Sequence, residues 1–292
     1  MYYLGIDGGG TKTIAAVSNE NGKILVRKSG RTINFYSVGF DSARKNLLNL
    51  INEIEKETGI KEYGGVFIGC SALDDEADEN LVAKLCDGVI KAEKIRINSD
   101  LYIAKKSTDC SCVAVCGTGS MVICETTDGK TKIAGGWGHI LGDEGSGYSI
   151  ALNALKKCCM MSDKGEKNLL TESAVKFFGV SCMRDVIDIV YSSETTKDMI
   201  ASFASEVGKL AESGDDASLE IIKAEACAFA DTTAILLGES CDSLGLYGGV
   251  FLNNRLFTKF FSDSISSRFP SVRIEVVEIP AEESALALAL RL

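Results

Sequence analysis

Short runs of apolar and β-branched residues open the chain, and their length and spacing indicate strands rather than helices. YYLGID, TIAAVSN and KILVRKSG are three such runs, separated by the glycines at 8–10 and by Asn21-Gly22. Because Asn-Gly is a preferred two-residue hairpin turn, they predict a β-meander over about the first thirty residues. Apolar positions at helical spacing then predict a helix that Asp41 caps and that ends near Gly59.

Two more apolar runs, at 66–70 and 94–98, predict strands that complete this first part of the chain, and the acidic run after Asp74 predicts a short exposed helix between them. The pattern then begins again. CVAVCGTGSMVICETTDGKTKIAGG predicts strand, glycine turn, strand, turn and strand, with Asp128-Gly129 as a second hairpin turn.

Helical spacing predicts four helices after this second hairpin, at about 144–160, 169–178, 195–213 and 217–239. GLYGGVFL and VRIEVVEI predict late strands, and AEESALALALRL predicts a final helix. One plan used twice predicts two similar α/β domains. We expect them at residues 1–107 and 108–281, with the last helix, about 282–292, returning to the first domain.

Composition limits the possible functions. The net charge of -10 argues against affinity for nucleic acid or an anionic membrane, and no apolar run is long enough to span a bilayer. Nucleotides remain possible, because backbone N–H groups and Mg²⁺ can neutralise phosphates. The first residues lack the features of a signal peptide, so we expect a cytoplasmic protein.

The cysteines and the single histidine restrict the chemistry further. None of the eleven cysteines forms a Cys-x-x-Cys pair, which fits the cytosol and gives little support to a metal site. The cysteines of CSCVAVC are interpreted as small apolar residues of a buried strand. Since His139 is the only histidine, acid–base chemistry is expected to fall to carboxylates.

Three glycine-rich turns follow strands and are candidates for holding a nucleotide. GIDGGGTKT is neither a Walker A motif nor a dinucleotide fingerprint, because a second strand follows its glycines. Such a hairpin can still wrap a phosphate, with Asp7 at the strand end holding Mg²⁺ through water; the alternative is a tight turn. CGTGS has the same character, and Gly248-Gly249 could admit a flat adenosine.

GGWGHILGDEGSGYSIA gathers the only tryptophan, the only histidine and adjacent Asp143-Glu144 among several glycines. Carboxylates beside glycine-rich backbone suit sugar hydroxyls, and Trp137 offers a flat apolar face. The alternative interpretation places Trp137 in the core, makes His139 a satisfied polar group and treats residues 143–146 as a helix cap.

Together these motifs resemble the actin-like ATPase fold of sugar kinases, hexokinase and Hsp70. The chain is most similar to the N-acetylglucosamine kinase-like BadF/BadG/BcrA/BcrD ATPase family, over nearly its whole length. The resemblance implies two RNase H-like domains with a nucleotide cleft between them. It also implies ATP- and Mg²⁺-dependent phosphorylation of an amino sugar, N-acetylglucosamine or glucosamine, and makes a homodimer plausible.

The resemblance also implies roles for individual residues. Asp100 takes the position of the catalytic base and, with Asp7, of an Mg²⁺ ligand. The implied ATP contacts are Gly8, Gly9, Gly10, Thr11, Lys12, Thr13, Gly117, Thr118, Gly119, Gly214, Gly248 and Gly249. The implied sugar contacts are Asn34, Ser120, Met121, Gly136, Trp137, Gly138, Asp143 and Gly147.

For three of these residues, a purely structural role is an alternative to the implied function. Asp100 could be the N-cap of a helix from Leu101, and Asn34 could be a turn residue. Gly214 could end one helix before Asp216 or Ser218 caps the next. Met121 departs from the family pattern, because the animal sugar kinase has an asparagine there.

Two other functions fit the same fold. One is an ATPase activator of a redox enzyme of the benzoyl-CoA reductase or dehydratase type, whose cysteines bridge an iron–sulfur cluster between subunits. The other is a sugar or nucleotide sensor without catalysis. Sugar-dependent ADP release separates both from a kinase.

Overall fold

A computed structural model describes residues 1–73, 75–125, 130–192, 195–238 and 241–292. The predicted turn at Asp128-Gly129 lies outside these described residues. The chain divides into two compact units: unit 1 is Met1–Asp109 with Ile279–Leu292, and unit 2 is Cys110–Glu278. Among the described residues, no helix is long and apolar enough to cross a membrane.

Unit 1 begins with the predicted meander, in which β1 (Tyr2–Gly8), β2 (Lys12–Asn19) and β3 (Ile24–Arg31) pair in antiparallel order. The strands β4 (Tyr63–Cys70) and β5 (Ala92–Asn98) extend the sheet on the other side of β1, and both pairings are parallel. The strand order is β3-β2-β1-β4-β5. Parallel neighbours need crossover connections, which helices supply here.

These strands are connected by α1 (Phe35–Val38), α2 (Phe40–Thr58) and α3 (Glu79–Cys86), and α4 (Asp100–Lys106) follows β5. The longest, α2, buries Leu47, Ile51 and Ile54 of the apolar positions that predicted it, whereas Leu48 is exposed. It ends at Gly59, whose φ of +72° is the left-handed conformation that favours glycine at this position. The predicted cap was wrong: Asp41 lies in the first turn of α2, where its charge favours the helix N-terminus.

Unit 2 repeats this plan. β6 (Cys112–Cys116), β7 (Ser120–Glu125) and β8 (Thr131–Gly135) form the antiparallel part. β9 (Ser243–Tyr247) and β10 (Arg273–Val276) join in parallel, in the order β10-β9-β6-β7-β8. The two sheets therefore share one topology, which confirms the predicted α/β class with two related domains.

Eight helices of unit 2 are α5 (Gly147–Asp163), α6 (Leu169–Phe178), α7 (Val186–Val190), α8 (Lys197–Ala201), α9 (Ala204–Glu212), α10 (Asp216–Ala234), α11 (Gly249–Asn253) and α12 (Arg255–Arg268). The single helix predicted over 195–213 is wrong, because the chain breaks at residues 202–203 to give α8 and α9. Val250 and Phe251, predicted as strand, lie in α11, and α12 was not predicted. Here tertiary packing decides over local propensity.

The last helix, α13 (Ala281–Ala289), belongs to unit 1 and packs on β1 at Gly5. A Cβ atom at Gly5 would lie 2.2 Å from the backbone nitrogen of Leu286, so only glycine permits this approach. Ala285 and Ala289 are fully buried there beside Phe67 of β4 and Ile103 of α4.

A disulfide joins Cys112 of β6 to Cys124 of β7. Cys110, Cys112 and Cys116 are buried, as the strand interpretation expected, but Cys112 is bonded to Cys124 rather than a free thiol. The sulfur of Cys241 lies 3.4 Å from that of Cys112. The bond covalently ties the base of the hairpin that carries the second glycine turn.

Candidate active site

In unit 1 the structure brings Asp7 and Asp100 together. β1, β4 and β5 are parallel, so their carboxyl ends share one edge of the sheet, and Asp7 and Asp100 lie at that edge. Glycines make the approach possible: a Cβ at Gly8 would lie 2.7 Å from the carbonyl oxygen of Gly69. A Cβ at Gly69 would lie 2.2 Å from Cδ1 of Ile103. Helix α4 can therefore lie directly against β4.

Asp100 does not cap α4, so that alternative is wrong. The hydroxyl of Ser99 accepts a hydrogen bond from the N–H of Tyr102 at 3.2 Å and forms the cap. Asp100 is the first residue of the helix and is partly buried.

The carboxyl group of Asp7 has an unusual proton affinity. Burial, then repulsion from Asp100 and from Glu282 of α13, raises its pKa to about 7, while Lys12 opposes the shift. Two carboxyl groups that repel each other near the carboxyl ends of strands in one sheet favour a shared cation. Mg²⁺ commonly takes one or two carboxylates together with phosphate oxygens and water, so Asp7 and Asp100 fit this ion.

The first glycine turn presents backbone rather than bulky side chains. Gly9 and Gly10 are partly exposed, Thr11 and Lys12 are exposed, and a Cβ at Gly10 would meet no atom within 4 Å. Thr13 instead faces inward. It is fully buried, and its hydroxyl accepts a hydrogen bond from the N–H of Ile33 at 3.2 Å. Its side chain therefore supports the turn.

The side-chain oxygen and nitrogen of Asn34 also make hydrogen bonds within the protein. Its side-chain oxygen accepts the N–H groups of Tyr36 and Ser37 at 3.0 and 3.1 Å, and its amide donates to the hydroxyl of Ser71 at 3.0 Å. The residue is buried and caps α1, which is the turn role that the sequence left open. Its contacts fix the segment between β3 and α2.

In unit 2 the Gly117–Thr118–Gly119 turn between β6 and β7 lies against Asp143. Asp143 is only 4% exposed, and its φ of +62° is rare for a residue with a side chain. Its carboxylate accepts hydrogen bonds from the N–H groups of Gly138 and Ser120. A Cβ at Gly119 would lie 2.9 Å from Oδ2 of Asp143, so glycine at this position leaves room for the carboxylate.

Opposing effects act on the pKa of Asp143. Burial raises it, and the positive charge of Lys197, the two backbone N–H groups and His139 oppose that rise. The burial of the Asp143 carboxylate is therefore partly compensated, although its pKa stays above the ordinary value.

The start of α5 holds the same turn. The N–H of Gly147 donates to the carbonyl oxygen of Gly117 at 2.8 Å. The hydroxyl of Ser120 donates to the carbonyl oxygen of Glu144 at 2.7 Å. Ser146 caps α5, as the alternative interpretation of 143–146 expected. The hydroxyl of Thr118 donates to Asp198 of α8 at 2.5 Å. The turn and the 143–147 segment thus form one bonded cluster.

Trp137 does not belong to the core, so that alternative is wrong: the residue is 73% exposed. Met121 packs beneath this segment, since a Cβ at Gly136 would lie 2.9 Å from Cε of Met121. The ring of His139 meets that of Tyr148 edge-on, with centroids 4.8 Å apart. The indole of Trp137 therefore lies at the surface, six residues before Asp143.

The remaining glycines that were predicted to contact ATP lie in two places: Gly248 and Gly249 at the start of α11, and Gly214 between α9 and α10. A Cβ at Gly248 would lie 2.4 Å from the carbonyl oxygen of Cys116, so Gly248 and Gly249 place the start of α11 at the end of β6. Gly214 lies in the connection of α9 to α10, where its N–H donates to Ala211. The cap of α10 is Asp215, so the alternative that named Asp216 or Ser218 is wrong on this point.

One buried acidic residue that contacts this cluster was not predicted from the sequence. Glu225 of α10 is 7% exposed, and its Oε2 accepts the N–H of Gly145 at 2.7 Å. The signal was present, because Glu225 recurs at helical spacing with the apolar residues Ile221, Ile222 and Phe229. A carboxylate on an apolar face requires a buried partner.

Comparison with known proteins shows what the chain as a whole is similar to. The chain is 30% identical to the N-acetylmuramic acid/N-acetylglucosamine kinase of Clostridium acetobutylicum, over 94% of this chain and 93% of that protein. It is 27% identical to the N-acetyl-D-glucosamine kinase of Dictyostelium discoideum, over 99% and 97%. A candidate N-acetylglucosamine kinase from Chromobacterium violaceum shares the fold, with a TM-score of 0.76, 20% identity, and coverage of 99% and 98%.

The two curated relatives are sugar kinases, and the solved structure shares the fold of this chain. The chain belongs to the BadF/BadG/BcrA/BcrD ATPase family, whose model matches residues 4–288.

Proposed function

We propose that this protein transfers the γ-phosphoryl group of ATP to a hydroxyl of an amino sugar, N-acetylglucosamine or glucosamine. The observation that carries the proposal is the contact between Asp143 and the Gly117–Gly119 turn. A group suited to a sugar hydroxyl and a turn suited to phosphate thereby share one cluster. The relatives named above support an amino sugar as the acceptor.

In this proposal the two glycine turns bind the phosphates through backbone N–H groups. Open space at Gly10 and at Gly117 lets a phosphate approach the backbone closely. Lys12 is exposed beside the first turn, where its positive charge suits the phosphates.

The sugar is recognised in unit 2. The oxygens of Asp143 accept hydrogen bonds from sugar hydroxyls, and the exposed indole of Trp137 covers an apolar face of the ring. Met121 lies in the place of the family's asparagine, so this site offers thioether contact rather than an amide there.

Asp100 acts as the general base. Its carboxylate takes the proton of the attacking hydroxyl while the oxygen forms a bond to the γ-phosphorus. The bond from that phosphorus to the β-bridging oxygen breaks, and ADP leaves. Asp7 and Asp100 would hold Mg²⁺, which neutralises charge on the β- and γ-phosphates.

The test is ADP release from Mg-ATP against a panel: no sugar, N-acetylglucosamine, glucosamine, N-acetylmuramic acid, N-acetylmannosamine and glucose. Strong stimulation by one amino sugar is the expected result. Equal ADP release with and without sugar would replace the proposal with an activator ATPase. Sugar binding without ADP release would replace it with a sensor.

A further inference from the structure

Glu225 is a buried carboxylate that the proposed transfer does not use. It lies on the core face of α10, between Ile222 and Phe229. Both of its oxygens are occupied: Oε2 accepts the N–H of Gly145 at 2.7 Å, and Oε1 accepts the side-chain amide of Asn153 on α5. Burying a charge is unfavourable unless such partners compensate it, so these contacts define a specific position.

Gly145, whose N–H donates to Glu225, is constrained by three contacts. Gly145 has a φ of +79°, and a Cβ there would lie 2.6 Å from Cβ of Phe229. Its carbonyl oxygen accepts the thiol of Cys116 at 3.2 Å, and its N–H meets Glu225. Gly145 is therefore the point at which the segment is anchored to α10 and β6.

Asp143 lies two residues before this anchor, in a backbone conformation that a residue with a side chain seldom adopts. Such a conformation persists only where the surroundings determine it. The hydroxyl of Ser120 holds Glu144 from one side, and Glu225 holds Gly145 from the other. Both anchors lie within two residues of Asp143.

We propose that Glu225 is a positioning residue for sugar recognition, which holds the 143–147 segment so that Asp143 faces the Gly117–Gly119 turn. This inference rests on the proposed function, since it assigns Glu225 to the sugar side of that reaction. Glu225 does not touch the substrate; it acts through Gly145.

The test compares Glu225→Ala with Glu225→Gln. Alanine leaves the buried N–H of Gly145 without an acceptor, so the segment loses its anchor. We expect kcat/KM for the sugar to fall by about 10-fold or more through a raised sugar KM, with the ATP KM changed by less than about 2-fold. Glutamine keeps one oxygen for Gly145, and a turned amide of Asn153 can meet its nitrogen. This variant is expected to retain most of the activity.

Two control variants separate positioning from loss of stability. Glu220→Ala makes the same change on α10 at an exposed position that pairs with Lys157 of α5. Ile222→Val weakens the same buried face of α10 without touching Gly145. Neither is expected to raise the sugar KM. If Ile222→Val raised it as much as Glu225→Ala, the role would be structural only and the proposal would be overturned.

Amide hydrogen exchange over residues 138–147 gives a readout that needs no activity. Exchange should be faster in Glu225→Ala than in Glu225→Gln or the wild type. Unchanged exchange together with an unchanged sugar KM would overturn the inference. A wild-type protein without sugar-stimulated ADP release would instead refute the proposed function, while the exchange data would still decide whether Glu225 holds the segment.

Discussion

Asp100 carries the chemical step that we propose, and its place at the start of α4 keeps it at the strand edge. The Asp100→Asn variant has nearly the same size but cannot take the hydroxyl proton. We expect kcat to fall by about 10² to 10⁴ while the dissociation constant of ATP stays close to that of the wild type. Steady-state kinetics and calorimetric ATP titration measure the two effects.

The matched control is Asp109→Asn, which changes an exposed acid just beyond the same helix. It should leave kcat unchanged. Near-wild-type turnover of Asp100→Asn would show that another group is the base.

Asp7 gives a prediction about stability that needs no ligand. Its folded-state pKa, about 7, lies above the ordinary value of 3.8, so the folded protein keeps a proton that the unfolded chain releases. Wild-type stability should therefore fall as the pH rises through this interval, at about 1.4 kcal/mol per pH unit at most. Asp7→Asn removes this loss.

The measurement is chemical unfolding of the ligand-free protein at pH 5 and pH 8. Relative to the wild type, Asp7→Asn should gain about 2 kcal/mol more at pH 8 than at pH 5. Asp109→Asn should show no such difference. Parallel pH curves for the wild type and Asp7→Asn would contradict the raised pKa.

At the scale of elements, the β6–β7 hairpin offers a matched pair of glycines. A Cβ at Gly119 would lie 2.9 Å from Oδ2 of Asp143, whereas a Cβ at Gly117 meets no atom within 4 Å. Gly119→Ala should push the carboxylate aside and weaken sugar binding by about 10-fold, equivalent to roughly 1.4 kcal/mol. Gly117→Ala should leave sugar binding nearly unchanged.

Fluorescence of Trp137, the only tryptophan of the chain, can report the sugar titration. Equal weakening by both alanines would mean that the turn, rather than the approach of Asp143, determines sugar affinity.

The disulfide at the base of this hairpin predicts a dependence on reductant. Cys112 and Cys124 are 12 residues apart, and closing a loop of this length stabilises a protein by about 3 kcal/mol in the chain-entropy view. Reductant should lower the melting temperature of the wild type. Cys124→Ser should melt at that lower temperature with or without reductant. If the melting temperature of the wild type were the same with and without reductant, the two thiols would not be bonded.

Sequence patterns predicted the elements whose faces are strictly periodic and missed those that packing decides. The β1–β3 meander followed from its turns, and α2 from its apolar spacing. The chain after Gly248 turns into α11 because the glycine lies on the carbonyl of Cys116, which no local pattern reveals.

Some residues of the candidate site could likewise be predicted from the sequence, and others could not. Glycine turns mark where backbone is presented, so residues 8–12 and 117–119 could be found in the sequence. The anchoring of Gly145 by Glu225 joins residues 80 positions apart, and only the folded structure shows it.

At the scale of the whole molecule, one sheet topology occurs twice, but the units differ in how the chain closes them. Unit 2 is a continuous segment, whereas unit 1 needs its last helix from the far end of the chain. That helix, α13, buries Ala285, Leu286 and Ala289 against the sheet of unit 1. The stability of unit 1 should therefore depend on residues 279–292, and that of unit 2 should not.

A chain that ends at Glu278 tests this dependence. Without α13 the sheet face around Phe67 is uncovered; loss of a single buried leucine such as Leu286 already costs about 2–5 kcal/mol. Under native conditions a protease should cut residues 1–109 of the shortened chain first and leave 110–278 protected, as mass spectrometry of the fragments can show. A chain that ends at Leu290 keeps α13 and should resist cleavage like the wild type. Equal protection of both units in the shorter chain would mean that unit 1 does not need its last helix.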